Sequence, residues 1–346
     1  MSKKSALIFG VTGQDGSYLA DYLLSLGYSV TGVVRRVSTR KNVYNKYNTV
    51  EADITDSTNV SRVIKLIKPD EVYNLAAQSH VAVSFEEPGH TWDVTAKGAL
   101  NILEAIRNEH PTAHYFQASS SEMFGGQYTQ RISLAKDGGT EVEIEKFQNE
   151  LTTFSPKSPY AVAKLAAHNF TSVYREAYNI HASSGIMFNH ESERRGENFV
   201  TRKITKYVAS LRHYMNDVMN GVWVDNGSKV HHLCPKLKLG NIDVWRDWGH
   251  AEDYVRAMHL MVNAPYPDDY VIATGKTHSL TNFLEEAFGV LGVNWKDYTE
   301  IDDSLRRPNE VVYCKGDRSK IKTCLHWEPT IDFKTLVQRM VNNEGR

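Results

Sequence analysis

The sequence predicts an α/β protein, a doubly wound parallel sheet joined to a smaller C-terminal α/β lobe that binds substrate. Three observations carry that expectation. An apolar run, Ser5 to Phe9, is followed by glycines at positions 10, 13 and 16 and then by an amphipathic stretch, Tyr18 to Leu26. Strand-type runs at Ser29 to Val34, Val50 to Ile54, Glu71 to Leu75 and His114 to Ser119 then alternate with helix-type segments at Asp56 to Lys68 and Thr95 to Asn108. Finally, Ser158-Pro159-Tyr160-Ala161-Val162-Ala163-Lys164 sets Pro159 at a helix start, so Tyr160 and Lys164 share one face, a turn apart.

Taken in order, the first element is the strand–loop–helix unit. Gly10, Gly13 and Gly16, with Gln14 and Asp15 between them, form a turn tight enough to bring backbone N–H groups and a helix N-terminus against a pyrophosphate, which makes the sheet Rossmann-type. The second strand ends in Arg35-Arg36, where an NAD enzyme usually places an acid for the ribose hydroxyls. Two forked guanidiniums there suit a 2′-phosphate, so NADP is the expected cofactor, with a solvated basic loop end as the alternative. Asp53 closes the third strand as an acceptor for an adenine amino group, with Ile54 beside it. Small residues follow the fourth strand, Ala76-Ala77-Gln78-Ser79, and let backbone pass close to a cofactor.

The fifth strand delivers Ser119-Ser120-Ser121-Glu122 at its carboxyl end, the side where ligands sit in an open parallel sheet. Serines at such a junction are ordinary turn residues when they stand alone. Beside Tyr160 and Lys164 they form a candidate proton-transfer cluster. A free phenol has a pKa of about 10, and a cation a few ångströms away moves it toward phenolate, the base that hydride abstraction from an alcohol requires.

The 346 residues suffice for about two domains. A net charge of −1 gives no cause to expect nucleic acid or an anionic membrane as partner. The apolar run after Lys3-Lys4 is broken at Gly10, Gln14 and Asp15, short of a signal peptide, and no stretch approaches a membrane span. Three cysteines, Cys234, Cys314 and Cys324, lie apart without metal spacing, as expected of reduced thiols in a cytoplasmic protein. His231-His232 beside Cys234 lacks a second ligand pair, and no metal is expected.

The Gly10–Gly16 loop, Ser120-x-Glu122 and Tyr160-x-x-x-Lys164 resemble the extended short-chain dehydrogenase/reductase superfamily. Within it, Gly13-Gln14-Asp15-Gly16-Ser17-Tyr18-Leu19, Asn74-Leu75-Ala76-Ala77-Gln78-Ser79-His80-Val81, Phe188-Asn189-His190-Glu191-Ser192, Arg194-Arg195-Gly196, Phe199-Val200-Thr201-Arg202-Lys203-Ile204 and Arg246-Asp247-Trp248-Gly249-His250 are similar to the GDP-mannose 4,6-dehydratase family. These blocks span the chain from about residue 5 to about residue 315.

That resemblance implies an internal redox elimination on GDP-mannose, yielding GDP-4-dehydro-6-deoxy-D-mannose on the way to GDP-fucose and other GDP-6-deoxyhexoses. Tyr160 would take the 4-hydroxyl proton as hydride passes to NADP+. Glu122 would act as base at C5 while the 6-hydroxyl leaves as water, and the hydride would return to C6. Ser120 stands where the family has a threonine, and Lys164 would bind the nicotinamide ribose. Gly10, Gly13, Gln14 and Asp15 would contact the pyrophosphate, Arg35 the 2′-phosphate, and Asp53 and Ile54 the adenine. Leu75, Ala77 and Ser79 would line the cofactor channel, with His190 and Arg195 at the nicotinamide end. Asn189, Lys203, Arg246, Arg307 and Glu310 match positions that hold GDP. The resemblance also implies a homo-oligomer, a tetramer or a dimer, with the Arg35 to Lys46 loop reaching a neighbour's cofactor. A related NADP-dependent nucleotide-sugar epimerase or reductase is the alternative, and Glu122 argues against it, since epimerases need no base at C5.

Two stretches look longer than the family's usual connections: 126–151, expected as a surface excursion or a flap beside the site, and 212–236. The expected division is a cofactor domain over 1–188, with 240–265 returning to it, and a GDP-sugar lobe over 189–239 and 266–346. The lobe is expected to hold a strand at Tyr270 to Thr274, a helix at Leu280 to Leu291 and a closing helix at Phe333 to Asn343.

Overall fold

Ser5–Phe9 forms β1, and its Ala-Leu-Ile-Phe run is buried on both faces, as a central parallel strand requires. The computed structural model describes residues 3–35, 46–134, 142–219, 235–306 and 308–344. Along the first half follow α1 (Gln14–Ser25), β2 (Ser29–Val34), β3 (Asn48–Glu51), α2 (Ser57–Ile67), β4 (Glu71–Asn74), α3 (Val81–Glu86), α4 (Pro88–Trp92), α5 (Gly98–Glu109) and β5 (His114–Ser120). A hairpin of β6 (Thr129–Leu134) and β7 (Val142–Phe147) precedes α6 (Pro159–Tyr178) and β8 (Ala182–Met187).

Seven parallel strands make one sheet in the order β3-β2-β1-β4-β5-β8 and then β13 (Asp269–Ile272). The remaining elements are β9 (Asn189–Glu191), α7 (Val200–Met219), β10 (Leu237–Leu239), β11 (Trp245–Arg246), β12 (Trp248–His250), α8 (Ala251–Val262), β14 (His278–Ser279), α9 (Leu280–Gly289), β15 (Thr299–Ile301), α10 (Ser319–Leu325) and α11 (Phe333–Asn342). One face of the sheet packs on α1 and α8, with Tyr18, Leu19, Leu23, Tyr254, Val255 and Met258 in its core. The other face packs on α2, α5 and α6 through Val60, Ile64, Ile102, Ile106 and Tyr174. Helices on both faces are what a doubly wound sheet demands.

The third strand is earlier than expected, Asn48–Glu51 rather than Val50 to Ile54. Asp56 accepts from the Asn59 N–H and starts α2 so soon that Asp53 and Ile54 fall in the connection. The strand expected in the smaller lobe at Tyr270 to Thr274 is instead the edge strand β13 of the large sheet, paired in register with β8. Ile321 and Trp327 also join the sheet's core, so the chain returns to the large sheet three times after residue 189. The smaller lobe gathers α7, α9 and α11 around Ile204, Leu211, Phe283, Phe288, Leu336 and Met340, with Trp248 facing them.

Candidate active site

Four strands of the sheet point their carboxyl ends at one cleft: β1, β4, β5 and β8. The strand order reverses between β1 and β4, the kind of place where open α/β sheets bind ligands. At the end of β1 the backbone turns at Gly10 with φ +84°, and a Cβ there would lie 2.8 Å from the Ala76 nitrogen. A Cβ on Gly16 would lie 2.2 Å from the Gly10 carbonyl oxygen. Any side chain at either position would push the first turn off the second strand end or off α1. Gly13 is the N-cap of α1, whose first N–H groups face the turn.

The side chains in this loop do more than line it. Asp15 Oδ2 lies 2.8 Å from His190 Nε2, and His190 Nδ1 lies 2.7 Å from the Phe188 carbonyl oxygen. Burial works against ionising Asp15, but the His190 charge and hydrogen bond prevail and hold its carboxyl at about 2. Burial opposes charge on His190 in turn, and Asp15 outweighs it, so the imidazole is raised above its ordinary value. Gln14 spends its side chain on the same segment: Nε2 donates to the His190 carbonyl and Oε1 accepts from Ser192 Oγ. Glu193 then receives the Tyr18 hydroxyl at 2.7 Å, the His250 ring at 3.2 Å and Arg339 from α11 at 3.1 Å. The glycine loop and the segment after β9 are thus clipped together across 175 residues of chain.

α6 begins as its sequence dictates. Ser158 Oγ accepts from the Ala161 N–H at 3.1 Å and Pro159 occupies the first turn. Tyr160 and Lys164 follow on one face, both buried. The expectation that Lys164 holds the phenol near phenolate does not match the geometry. Lys164 Nζ donates to the Ala118 carbonyl at 2.7 Å and lies 5.8 Å from the centroid of the Tyr160 ring. Burial pushes the Tyr160 phenol up to about 12, eased by a hydrogen bond with Ser120 and reinforced by the Glu122 charge. Burial also draws the Lys164 ammonium down to about 8. Ser120 Oγ accepts from the Glu122 N–H at 3.2 Å and opens a short 3-10 turn that directs Glu122 into the cleft shared with Tyr160.

The same cleft gathers Asp15, Leu75, Ala77, Ser79, Ser120, Glu122, Tyr160, Lys164, Asn189, His190, Arg195, Arg246 and Glu310. Arg195 Nε lies 2.9 Å from Glu191 Oε2, and its guanidinium covers the Phe199 ring. Arg246 is buried, and its Nη1 donates only to the Trp245 and Val312 carbonyls, with no carboxylate partner among the described residues. Some expected residues stand elsewhere. Asp53 accepts the Thr55 N–H at 2.9 Å and the Thr55 hydroxyl at 2.8 Å on one oxygen, Oδ1, of an exposed carboxylate. Ile54 is buried under Gly98, and Lys203 is exposed on α7, outside the cleft lining. Arg35 is exposed just past β2, while Arg36, Arg307, Gly138-Gly139, His231-His232 and Cys234 lie outside the described residues.

The protein groups fit a dinucleotide. The turn keeps its tight path because Gly10 and Gly16 lack Cβ atoms, small residues wall the channel, and a buried ammonium stands beside the Tyr160 ring. Sequence reasoning missed Asp247 and Glu193 as organisers of the site. Both sit in charged runs that read as surface, and the only available signal was a carboxylate between Arg246 and Trp248 in a block otherwise matched to the cleft.

A glycine-turn α/β sheet, a serine and a glutamate at the end of β5 and a Tyr–Lys pair on the next long helix define a short-chain dehydrogenase/reductase of the extended, sugar-nucleotide type. The family model for GDP-mannose 4,6 dehydratase matches residues 7–340, and the chain belongs to that family. It is 48% identical to GDP-mannose 4,6 dehydratase 2 of Arabidopsis thaliana, covering 99% of this chain and 87% of that one. It is 40% identical to the Homo sapiens GDP-mannose 4,6 dehydratase, covering 97% and 90%. Among solved structures, the UDP-glucose 4-epimerase of Thermus thermophilus in complex with NAD is similar with a TM-score of 0.74 at 23% identity, each chain covered to 98%.

Proposed function

We propose that the chain removes water from GDP-mannose, leaving a 4-keto-6-deoxy sugar on GDP, with no net oxidation. The observation that carries this reading is the carboxylate of Glu122 opening onto the same cleft as Tyr160 and Ser120, in a chain of the dehydratase family. Tyr160, steadied by Ser120, takes the proton of the sugar's 4-hydroxyl. Once C4 is a ketone, the C5 proton is acidic, and Glu122 removes it and returns a proton to the departing 6-hydroxyl. Arg246, a buried cation with only carbonyl partners, meets the diphosphate, and Glu310 and Asn189 line the same cleft. An oxidised nicotinamide dinucleotide, when bound, would supply the hydride acceptor for C4 and donor for C6, and the positive charge that lowers Tyr160.

The dinucleotide is NADP in this reading, since Arg35 and Arg36 follow β2 where a ribose acid would otherwise stand. Lys164 holds the nicotinamide ribose, and His190 and Arg195 flank the ring. The enzyme works in the cytoplasm as a homo-oligomer. Among the described residues no helix is long and apolar enough to cross a membrane. Incubating the purified protein with GDP-mannose and weighing the sugar nucleotide tests the reading. Loss of one water mass without consumption of added reductant is expected. An unchanged mass with an inverted C4, or gain of two hydrogens, would assign an epimerase or a reductase instead.

A further inference from the structure

Asp247 is fully buried, and its carboxylate gathers four donors from two separate segments. Oδ1 accepts from the Thr274 N–H at 2.8 Å and the Thr274 hydroxyl at 2.6 Å. Oδ2 accepts from the Gly275 N–H at 2.9 Å and the Gly316 N–H at 3.2 Å. Two of these donors are glycines for a reason visible in the packing. Gly275 has φ +77°, and a Cβ on Gly316 would lie 2.2 Å from the Ala273 Cβ. Only bare backbone brings both N–H groups onto one carboxylate.

What this carboxylate holds matters more than the bonds themselves. Asp247 lies between Arg246 and Trp248, and alternation along an extended chain sends those two neighbours to the side opposite its own. Both line the cleft. The segment that carries Glu310 runs beside this strand: the Trp245 N–H donates to Val312 at 2.7 Å, the Cys314 N–H donates to Trp245 at 3.0 Å, and Gly316 completes the series on Asp247. Thr274 and Gly275 add the exit of β13, the edge of the large sheet. Three chain segments from two layers of the molecule therefore meet on one side chain, immediately behind the buried guanidinium of Arg246.

We infer that Asp247 is a positioning residue for the diphosphate end of the substrate, fixing the strand of Arg246 and Trp248 against the segment of Glu310. This rests on reading the cleft as a GDP-sugar site. Asp253 provides the internal comparison. It is equally buried and also collects donors, from Thr330 and Ile331, but it does so on α8, away from the cleft lining. A carboxylate that serves only the fold should behave like Asp253.

The test measures equilibrium dissociation of GDP-mannose and of NADP, kcat, KM and melting temperature in Asp247→Asn, Thr274→Val and Asp253→Asn. Asparagine keeps the shape of Asp247 but turns an acceptor toward the Gly275 and Gly316 donors into a donor. GDP-mannose affinity should then fall roughly tenfold, with KM rising in step, because a cation displaced by a fraction of an ångström loses its diphosphate contact. NADP affinity and kcat should stay within about threefold of wild type, since neither depends on Arg246. Thr274→Val removes only the 2.6 Å hydroxyl bond and gives a smaller rise in KM in a protein that folds even if Asp247→Asn does not accumulate. Asp253→Asn should lower the melting temperature and leave KM unchanged. Wild-type affinity for GDP-mannose in both Asp247→Asn and Thr274→Val overturns the inference, as does a fall in NADP affinity and kcat parallel to that for the sugar nucleotide. Affinity is read separately from water loss, so wild type that binds GDP-mannose without dehydrating it would overturn the proposed reaction and leave the positioning role standing.

Discussion

The pairing of Asp15 with His190 yields a prediction whose size and pH window follow from the structure. Asp15→Asn keeps the length of the side chain and an oxygen facing His190, removes the charge, and turns the oxygen that accepts from Gln14 Nε2 into a donor. The carboxyl falls from an ordinary 3.8 to about 2, so its ionised form is favoured in the folded protein by roughly 2.5 kcal/mol. Burial opposes this and the histidine overcomes it, so the gain belongs to the pair and not to the site. Because the folded value lies below the unfolded one, this stability is present above about pH 3.8 and is lost as pH falls toward 2. His190 has the opposite sign. Its raised value makes its share present below the ordinary 6.5 and lost as pH climbs through the folded value.

The two windows overlap between about pH 4 and pH 6.5. In that interval the wild-type protein should be more stable than Asp15→Asn by roughly 2 kcal/mol, read as the shift of the urea midpoint followed by tryptophan fluorescence. The gap should narrow below pH 4 and again above neutrality as His190 gives up its proton. A gap of constant size from pH 4 to pH 9 would show that the asparagine disturbs packing and not charge. No gap at pH 5.5 would refute the coupling altogether.

Three further outcomes test the site more directly. Glu122→Gln should slow water loss by roughly 10²- to 10⁴-fold, the usual contribution of a placed acid–base group, while GDP-mannose still binds; product at the normal rate would remove Glu122 from the chemistry. Gly16→Ala places a methyl 2.2 Å from the Gly10 carbonyl oxygen and should abolish dinucleotide binding in a fluorescence titration, so wild-type affinity would mean that the turn is not the cofactor's seat. Lys164→Met should destroy activity yet melt higher than wild type at pH 7. Drawing the ammonium from 10.5 to about 8 costs roughly 3 kcal/mol, against about 1–2 for the lost bond to Ala118. A depressed value means that the cost is present below pH 8 and relieved toward pH 10.5, so the advantage should vanish by about pH 10; a lower melting point at pH 7 would count against this accounting.

What the sequence made legible was local. Glycine spacing after an apolar run located the first turn, and Pro159 with an interval of four placed Tyr160 and Lys164 on one helical face, both as found. What it concealed depends on distant partners. The 269–272 run reads as a strand anywhere, and nothing in it says that its register lies with β8 and not with the smaller lobe. Asp15 reads as a phosphate-loop residue, whereas its partner is 175 positions away. Asp53 offers an acceptor on paper, and nothing in its sequence says that Thr55 two residues on occupies one of its two oxygens. The 126–151 excursion contains an antiparallel hairpin, held to the body where buried Gln148 bonds the Lys315 backbone in both directions. Such pairings follow from the fold's topology, which single residues do not encode.

The ionisation pattern explains why the chemistry is conditional on ligands. The protein's own groups leave Tyr160 protonated, because burial outweighs the help of Ser120 and the nearest ammonium is committed to a carbonyl. They also leave Arg246 charged, buried and bonded only to carbonyls. A phenolate at Tyr160 would be costly by itself, as is a buried Arg246 without an anion, and each cost is relieved by charge of the opposite sign in the cleft, positive beside Tyr160 and negative beside Arg246. An oxidised dinucleotide carries the first and a sugar diphosphate the second. In the proposed reaction a phenolate formed without the dinucleotide would accept a proton with nowhere to send the hydride, and burial of the phenol, which raises it to about 12, would tie deprotonation to the arrival of positive charge.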